Sequence, residues 1–222
     1  HFSSTQDQVR EFDAWYESGL ADAANGTTTQ ADNFPDYKVP TIIKDWPAHG
    51  DVSQGQDFYL APFYDRNNDG LYEWQKGDFP WYDIKKTKDC QTNRSVSLYG
   101  DQNFWWIMND KGNIHTETGS DPIGMEIRAQ AFAFATNDEV NNMTFYNYEL
   151  INRGTQTLYN TYFGFFADAA LGDPFDDYVG CDVNRGLAYV YNGDAYDGDN
   201  SGFKGYGANP AAVGIDFFEG PF

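Results

Sequence analysis

Strict two-residue alternation constrains this chain most. In "MEIRAQAFAFA" (125–135), Met125, Ile127, Ala129, Ala131 and Ala133 share one face of an extended strand, while Glu126, Arg128, Gln130, Phe132 and Phe134 share the other. One face suits a core; the second begins polar and ends aromatic. "NFWWIMND" (103–110) sets Phe104, Trp106 and Met108 against Trp105 and Ile107. A strand apolar on both sides belongs in a sheet interior.

Similar runs recur from about Ala61 onward. "MTFYNYELIN" and "TLYNTYFGFFA" flank "RGTQ" and predict a hairpin; "LAYVYNGDAY" carries Asn192-Gly193, the pair favoured in type I′ turns; "AAVGIDFF" predicts a last short strand. Six or more strands without helical segments between them predict an all-β fold, an antiparallel β-sandwich or jelly-roll-like architecture with long calcium-binding loops. Abundant Gly, Asn, Asp and aromatic residues agree with many short strands joined by turns. Residues 1–44 read as an extended lead-in, despite helix-like spacing of Val9, Phe12, Trp15 or Tyr16 and Leu20, and 45–222 as one calcium-binding domain of a longer exported protein. Trp105, Trp106, Phe132 and Phe134 are expected in the core, with Trp74, Trp81 and Tyr82 nearer the surface.

The densest chemical signal is "FYDRNNDGLYEWQKGDFP" (63–80). Asp65, Asn67 and Asp69 supply oxygens at the first, third and fifth positions of an EF-hand-type loop, and Gly70 permits the bend that would turn the Leu71 carbonyl into the next ligand. The usual closing Glu is replaced by Lys76, so Asp78 is the expected closing carboxylate, with Glu73 as a water-linked option. The alternative is an Asx-turn loop without metal. A second cluster, Asp168, Asp173, Asp176, Asp177 and Asp182, packs five carboxylates into "FADAALGDPFDDYVGCDVN". Repulsion among them would be relieved by a second Ca²⁺, the alternative being a solvated acidic loop.

With 34 acidic against 14 basic residues, a formal charge of −20, the chain repels phosphate backbones and anionic bilayers, so nucleic acid and membrane insertion are not expected. No apolar run reaches the ~18 residues of a membrane span. Three histidines and no CxxC argue against zinc. Cys90 and Cys181 are compatible with one disulfide or with two buried thiols. No GxSxG elbow or catalytic Cys context is present, and no residue is assigned a catalytic role; two acids among Glu117, Glu126 and Glu149 leave a glycoside hydrolase as the rival reading.

Taken in order, "DWPAHG", "LAPFYDRNNDGLYEWQKGDFP", "GDQNFWWIMNDKGNIHTETGSDPIGMEI", "NNMTFYNYELINRGTQTLYNTYFGFFAD" and "DDYVGCDVNRGLAYVYNGDAYDG" resemble a family of large secreted Bacteroidetes proteins, the sorting-domain-containing proteins exported by the type IX secretion system. The resemblance covers most of residues 45–222. It implies a secreted, extracellular cell-surface location and a Ca²⁺-loaded β-rich module, with Asp65, Asn67, Asp69 and Asp78 matching the family's acidic loop and Asp168, Asp176, Asp177 and Asp182 its "DD-x-x-G-C-D" region. It implies no enzymatic activity. The expectation is a non-catalytic surface module for adhesion, assembly or glycan contact, its partners surface glycans or other cell-surface proteins; a self-assembling filament subunit is a further alternative.

Overall fold

The computed structural model describes residues 1–86 and 97–220. The chain divides into two units, His1–Thr157 and Leu158–Phe222. Both are dominated by antiparallel strands.

Unit 1 is organised by a four-stranded sheet in the order β1-β4-β5-β6, made of β1 (Phe2–Thr5), β4 (Gln102–Asn109), β5 (Met125–Ala133) and β6 (Phe145–Asn152), with a two-stranded pair, β2 (Phe63–Tyr64) and β3 (Phe79–Pro80), beside the acidic loop. The alternating runs fix the register: Trp105 faces Gln130, which faces Asn147, and Arg128 faces Glu149. The doubly apolar β4 is interior, as its sequence requires.

The first 44 residues are not an extended lead-in. Gln6–Asn25 form a 20-residue helix, α1, followed by α2 (Thr29–Asn33) and α3 (Thr41–Lys44). Thr5 caps α1 in a reciprocal box, its hydroxyl accepting from Gln8 N–H while the Gln8 side chain accepts from Thr5 N–H. Gly26, at φ 68°, ends the helix in a left-handed cap. Val9 and Phe12, three residues apart, are fully buried with Ile43, Trp46, Phe79, Tyr82 and Trp105. This tertiary packing holds the segment helical although its average hydrophobicity is low.

That core lies on the Trp105 side of the sheet, the side that also carries Asn103 and Gln130. Both are buried and tied together, Asn103 Nδ2 donating to Gln130 Oε1 at 2.8 Å and Gln130 Nε2 to the Ser97 carbonyl at 3.2 Å. On the opposite side Ala129 is buried, with Trp106 and Tyr148 as its register neighbours. Of the four aromatics expected in the core, Trp105 is buried, whereas Trp106, Phe132 and Phe134 are half-buried. Tyr82 is a core residue, 1% exposed, whose hydroxyl donates to the Ser4 carbonyl at 2.9 Å.

Unit 2 holds a three-stranded sheet, β11-β8-β7, from β7 (Asp177–Asp182), β8 (Leu187–Asn192) and β11 (Ala212–Asp216), with a pair formed by β9 (Tyr196–Asp197) and β10 (Gly207–Ala208). Two expected turns are absent. Residues 158–168 form no strand, so "RGTQ" does not join a hairpin; β6 takes β5 as its partner instead. Asn192-Gly193 is not a type I′ turn, since neither residue has positive φ. Pairing with β7 holds Asn192 in the strand opposite Asp177, and Gly193 N–H, in the bend that follows, donates to the Asp176 carbonyl at 2.8 Å. The real hairpin of this region joins β7 to β8 through 183–186, closed by Gly186 at φ 69°.

Candidate functional site

The loop between β2 and β3 folds on its own side chains. Asp65 Oδ2 accepts Gly70 N–H at 2.7 Å, Asn67 Oδ1 accepts Asp69 N–H at 3.2 Å, and Asp69 Oδ1 accepts Leu71 N–H at 2.9 Å. Gly70, at φ 79°, makes the bend expected of it. Leu71 lies exposed on the rim. Asp78 closes the loop from within: it is 0% exposed, and its two oxygens accept Arg66 N–H at 2.9 Å and Glu73 N–H at 2.8 Å. Burial pushes the Asp78 carboxyl above its usual range, the two amides oppose this, and the charges of Asp65 and Asp69 add to the upward push. Lys76, on the surface, pairs with Asp69 at 3.2 Å and with Glu73. Asp69 is held below its usual range by the Leu71 amide first, then by Asn67 and Lys76.

Arg66 ties this loop to α1. Its guanidinium meets Asp13 at 2.5 Å and Glu17 at 2.6 Å and lies over the Tyr16 ring at 4.9 Å. Helix and loop therefore hold each other, a link that requires the tertiary fold.

Next to the loop, a cleft of about 320 Å³ opens on the polar side of the sheet. Tyr59, Phe63, Trp81 and Trp105 give it aromatic walls, and Arg128, Gln130, Asn147 and Glu149 supply polar groups. The Trp81 indole N–H is buried without a hydrogen-bond partner. Arg128 is fixed, donating to Glu126 at 2.9 Å and Asp57 at 3.0 Å.

Of the three glutamates of the hydrolase reading, Glu126 is held by Arg128 and Arg153, Glu117 is exposed in a turn, and Glu149 lines the cleft opposite Arg128. Two of the three histidines meet backbone groups: His49 Nε2 accepts Tyr72 N–H at 2.8 Å, and His115 Nε2 lies 2.8 Å from the Asp110 carbonyl.

In unit 2 the five expected carboxylates separate. Asp173, Asp176 and Asp177 come together, and Asp197 from β9 joins them, its Oδ1 accepting Asp173 N–H at 3.2 Å and Oδ2 accepting Tyr206 N–H at 2.7 Å. Burial first, then Asp173, Asp197 and Asp177, push the Asp176 carboxyl up. Asp168 is exposed in the strandless stretch. Asp182 caps the β7–β8 turn through Arg185, about 16 Å along the strand from Asp177. An odd spacing also sets the two on opposite faces. Asn192 and Asp197 are missing from the sequence-based set because they lie 15 and 20 residues beyond Asp177.

Among the described residues, no group of three or more His, Cys, Asp or Glu side chains is arranged to hold a metal ion, and no helix is long and apolar enough to cross a membrane. Cys181 is exposed on β7, and its candidate partner Cys90 lies outside the described residues. Comparison of the chain with protein-family models, with curated proteins and with solved structures finds no match.

Proposed function

We propose that this chain is a non-catalytic, calcium-stabilised module of sandwich type that acts outside the cell and contacts glycans through the cleft of unit 1. The observation that carries the reading is the cleft itself. Its aromatic walls suit the apolar faces of sugar rings, while the Asn147 amide and the Glu149 carboxylate suit sugar hydroxyls. A hydrolase needs two carboxyls about 5–9.5 Å apart with one free to donate a proton; the ion pairs that bind Glu126 support contact without cleavage.

Calcium belongs to the loop. Asp65, Asn67, Asp69 and Asp78 would supply oxygen donors, the kind a hard cation takes. The upward push on Asp78 from Asp65 and Asp69 supports the fit, because a cation would relieve it. Bound there, Ca²⁺ would cross-link β2 to β3 and take no part in chemistry. Export by the type IX route and a place at the cell surface are part of the same proposal, supported by the motif series alone.

Two measurements test it. Chelation should lower the thermal midpoint, calcium at a hundredfold excess over Kd contributing about 2.7 kcal/mol; an unchanged midpoint removes the calcium role. Oligosaccharide titration should quench tryptophan emission in the native chain and not in Trp81→Ala; equal binding by both places glycan contact elsewhere.

A further inference from the structure

Unit 2 contains a set of buried oxygens that the loop of unit 1 does not explain. Asp176 Oδ1, Asp177 Oδ1 and Asn192 Oδ1 are all buried and have no hydrogen-bond partner. Asn192 is 8% exposed, and its register position opposite Asp177 puts both side chains on one face of the β7–β8 ladder. Its amide nitrogen is already committed, donating to the Asp194 carbonyl at 2.9 Å, so the oxygen is turned the other way. A buried acceptor without a donor is destabilising, and more so when charged.

The surroundings supply negative charge and no counter-charge. Asp173 and Asp197 are 5% and 1% exposed, and backbone amides hold both in place. Unit 2 has only two basic residues, Arg185 and Lys204; they pair with Asp182 and Asp199. Backbone geometry keeps the cluster closed. Gly172, at φ 70°, allows Asp197 to approach so near that a Cβ there would lie 2.0 Å from its Oδ2.

We propose that Asp176, Asp177 and the amide oxygen of Asn192 are the protein ligands of a Ca²⁺ site in unit 2, with Asp173 and Asp197 as its charged wall. The donor set explains the choice of ion. Two carboxylates and an amide, with no nitrogen or sulfur, do not suit zinc, and calcium accepts about six to eight oxygens in adaptable geometry, water supplying those the protein does not. The site ties the start of β7 to the end of β8 and, through Asp197, to β9. It uses no residue of the unit 1 loop.

Calorimetric titration of the intact chain with CaCl₂ tests the site. Asp176→Asn combined with Asp177→Asn should remove one bound ion, whereas Asp65→Asn with Asp69→Asn should leave this ion in place and remove only that of unit 1. Asn192→Ala should weaken the unit 2 affinity measurably, because calcium affinity depends on the number of oxygens the protein supplies. Asn192→Asp keeps the shape and adds charge, so it should bind Ca²⁺ at least as tightly and show a larger calcium-dependent rise in unfolding temperature. Asp182→Asn should change nothing. Unaltered stoichiometry in the Asp176/Asp177 variant, or a loss of Ca²⁺ by Asp182→Asn as large as by that variant, overturns the site. So does Asn192→Asp if it is destabilised without rescue by calcium, and this arm remains readable if the double variant fails to fold.

Discussion

Replacing Asp78 by Ala is the sharpest test of how the acidic loop is held. Two backbone amides, those of Arg66 and Glu73, donate to its carboxylate from opposite sides of the loop, and the side chain is wholly buried. Hydrogen bonds to a charged group contribute about 1.5–3 kcal/mol each, so the gross loss is about 3–6 kcal/mol. Part is returned, because the variant no longer buries a carboxylate beside Asp65 and Asp69. A net destabilisation of about 2–4 kcal/mol corresponds to a fall of about 5–15 °C in a unit of this size. Tryptophan fluorescence is the assay, because all six tryptophans lie within His1–Thr157 and report that unit alone. Asp78→Asn keeps one acceptor and sets an amide N–H against the other donor, so it should fall between Ala and the native chain. Asn67→Ala, at the exposed rim, should be destabilising by less than about 1 kcal/mol. If both Asp78 variants melt within about 1 °C of the native chain in calcium-free buffer, the carboxylate does not hold the loop, and the argument fails.

Other parts of the structure make separate predictions. Phe12→Ala should lower the stability of unit 1 by about 3–5 kcal/mol in a urea titration, since it empties a fully buried position between α1 and the sheet; a change below about 1 kcal/mol would mean that α1 does not dock there. Gly172→Ala should destabilise unit 2 by at least about 1 kcal/mol, measured by far-ultraviolet circular dichroism, because it adds a Cβ at positive φ against Asp197. Asp110 accepts N–H bonds from Ile123, Gly124 and Met125; desolvation opposes them, but together they hold its carboxyl below the usual range. With a folded pKa below the unfolded one, its contribution is full at neutral pH and is lost as pH falls through the folded value. Asp110→Asn should therefore flatten the acid limb of the stability profile; an unchanged limb would count against these bonds.

The helix of unit 1 shows what local reading can reach. Thr5 and Gln8 spell a capping box and Val9 and Phe12 stand three apart, so signs of the start of α1 were present in the sequence, although residues 1–44 read as extended. Its length was not, because the residues that hold it, Trp46, Phe79 and Trp105, come from distant parts of the chain. The acidic loop was more legible: Asp65 to Gly70 are contiguous, and their turn is made by hydrogen bonds within a few residues. The cleft was not legible, since Tyr59, Trp81, Gln130 and Asn147 meet only when β5 and β6 pair beside the β2–β3 region.

By itself the sequence determined the alternating strands β4, β5 and β6, the interior place of β4 and the bend at Gly70, because side-chain period and turn preference are properties of neighbouring residues. Only the tertiary structure decided which sheet face receives α1, that 158–168 form no strand, and which carboxylates gather in unit 2. Asp177 and Asp182 are close in sequence, yet an extended strand carries them about 16 Å apart. Asn192 is distant in sequence and lies directly opposite Asp177, because a hairpin returns it there. Strand pairing, which sets distance in space against distance along the chain, made that choice.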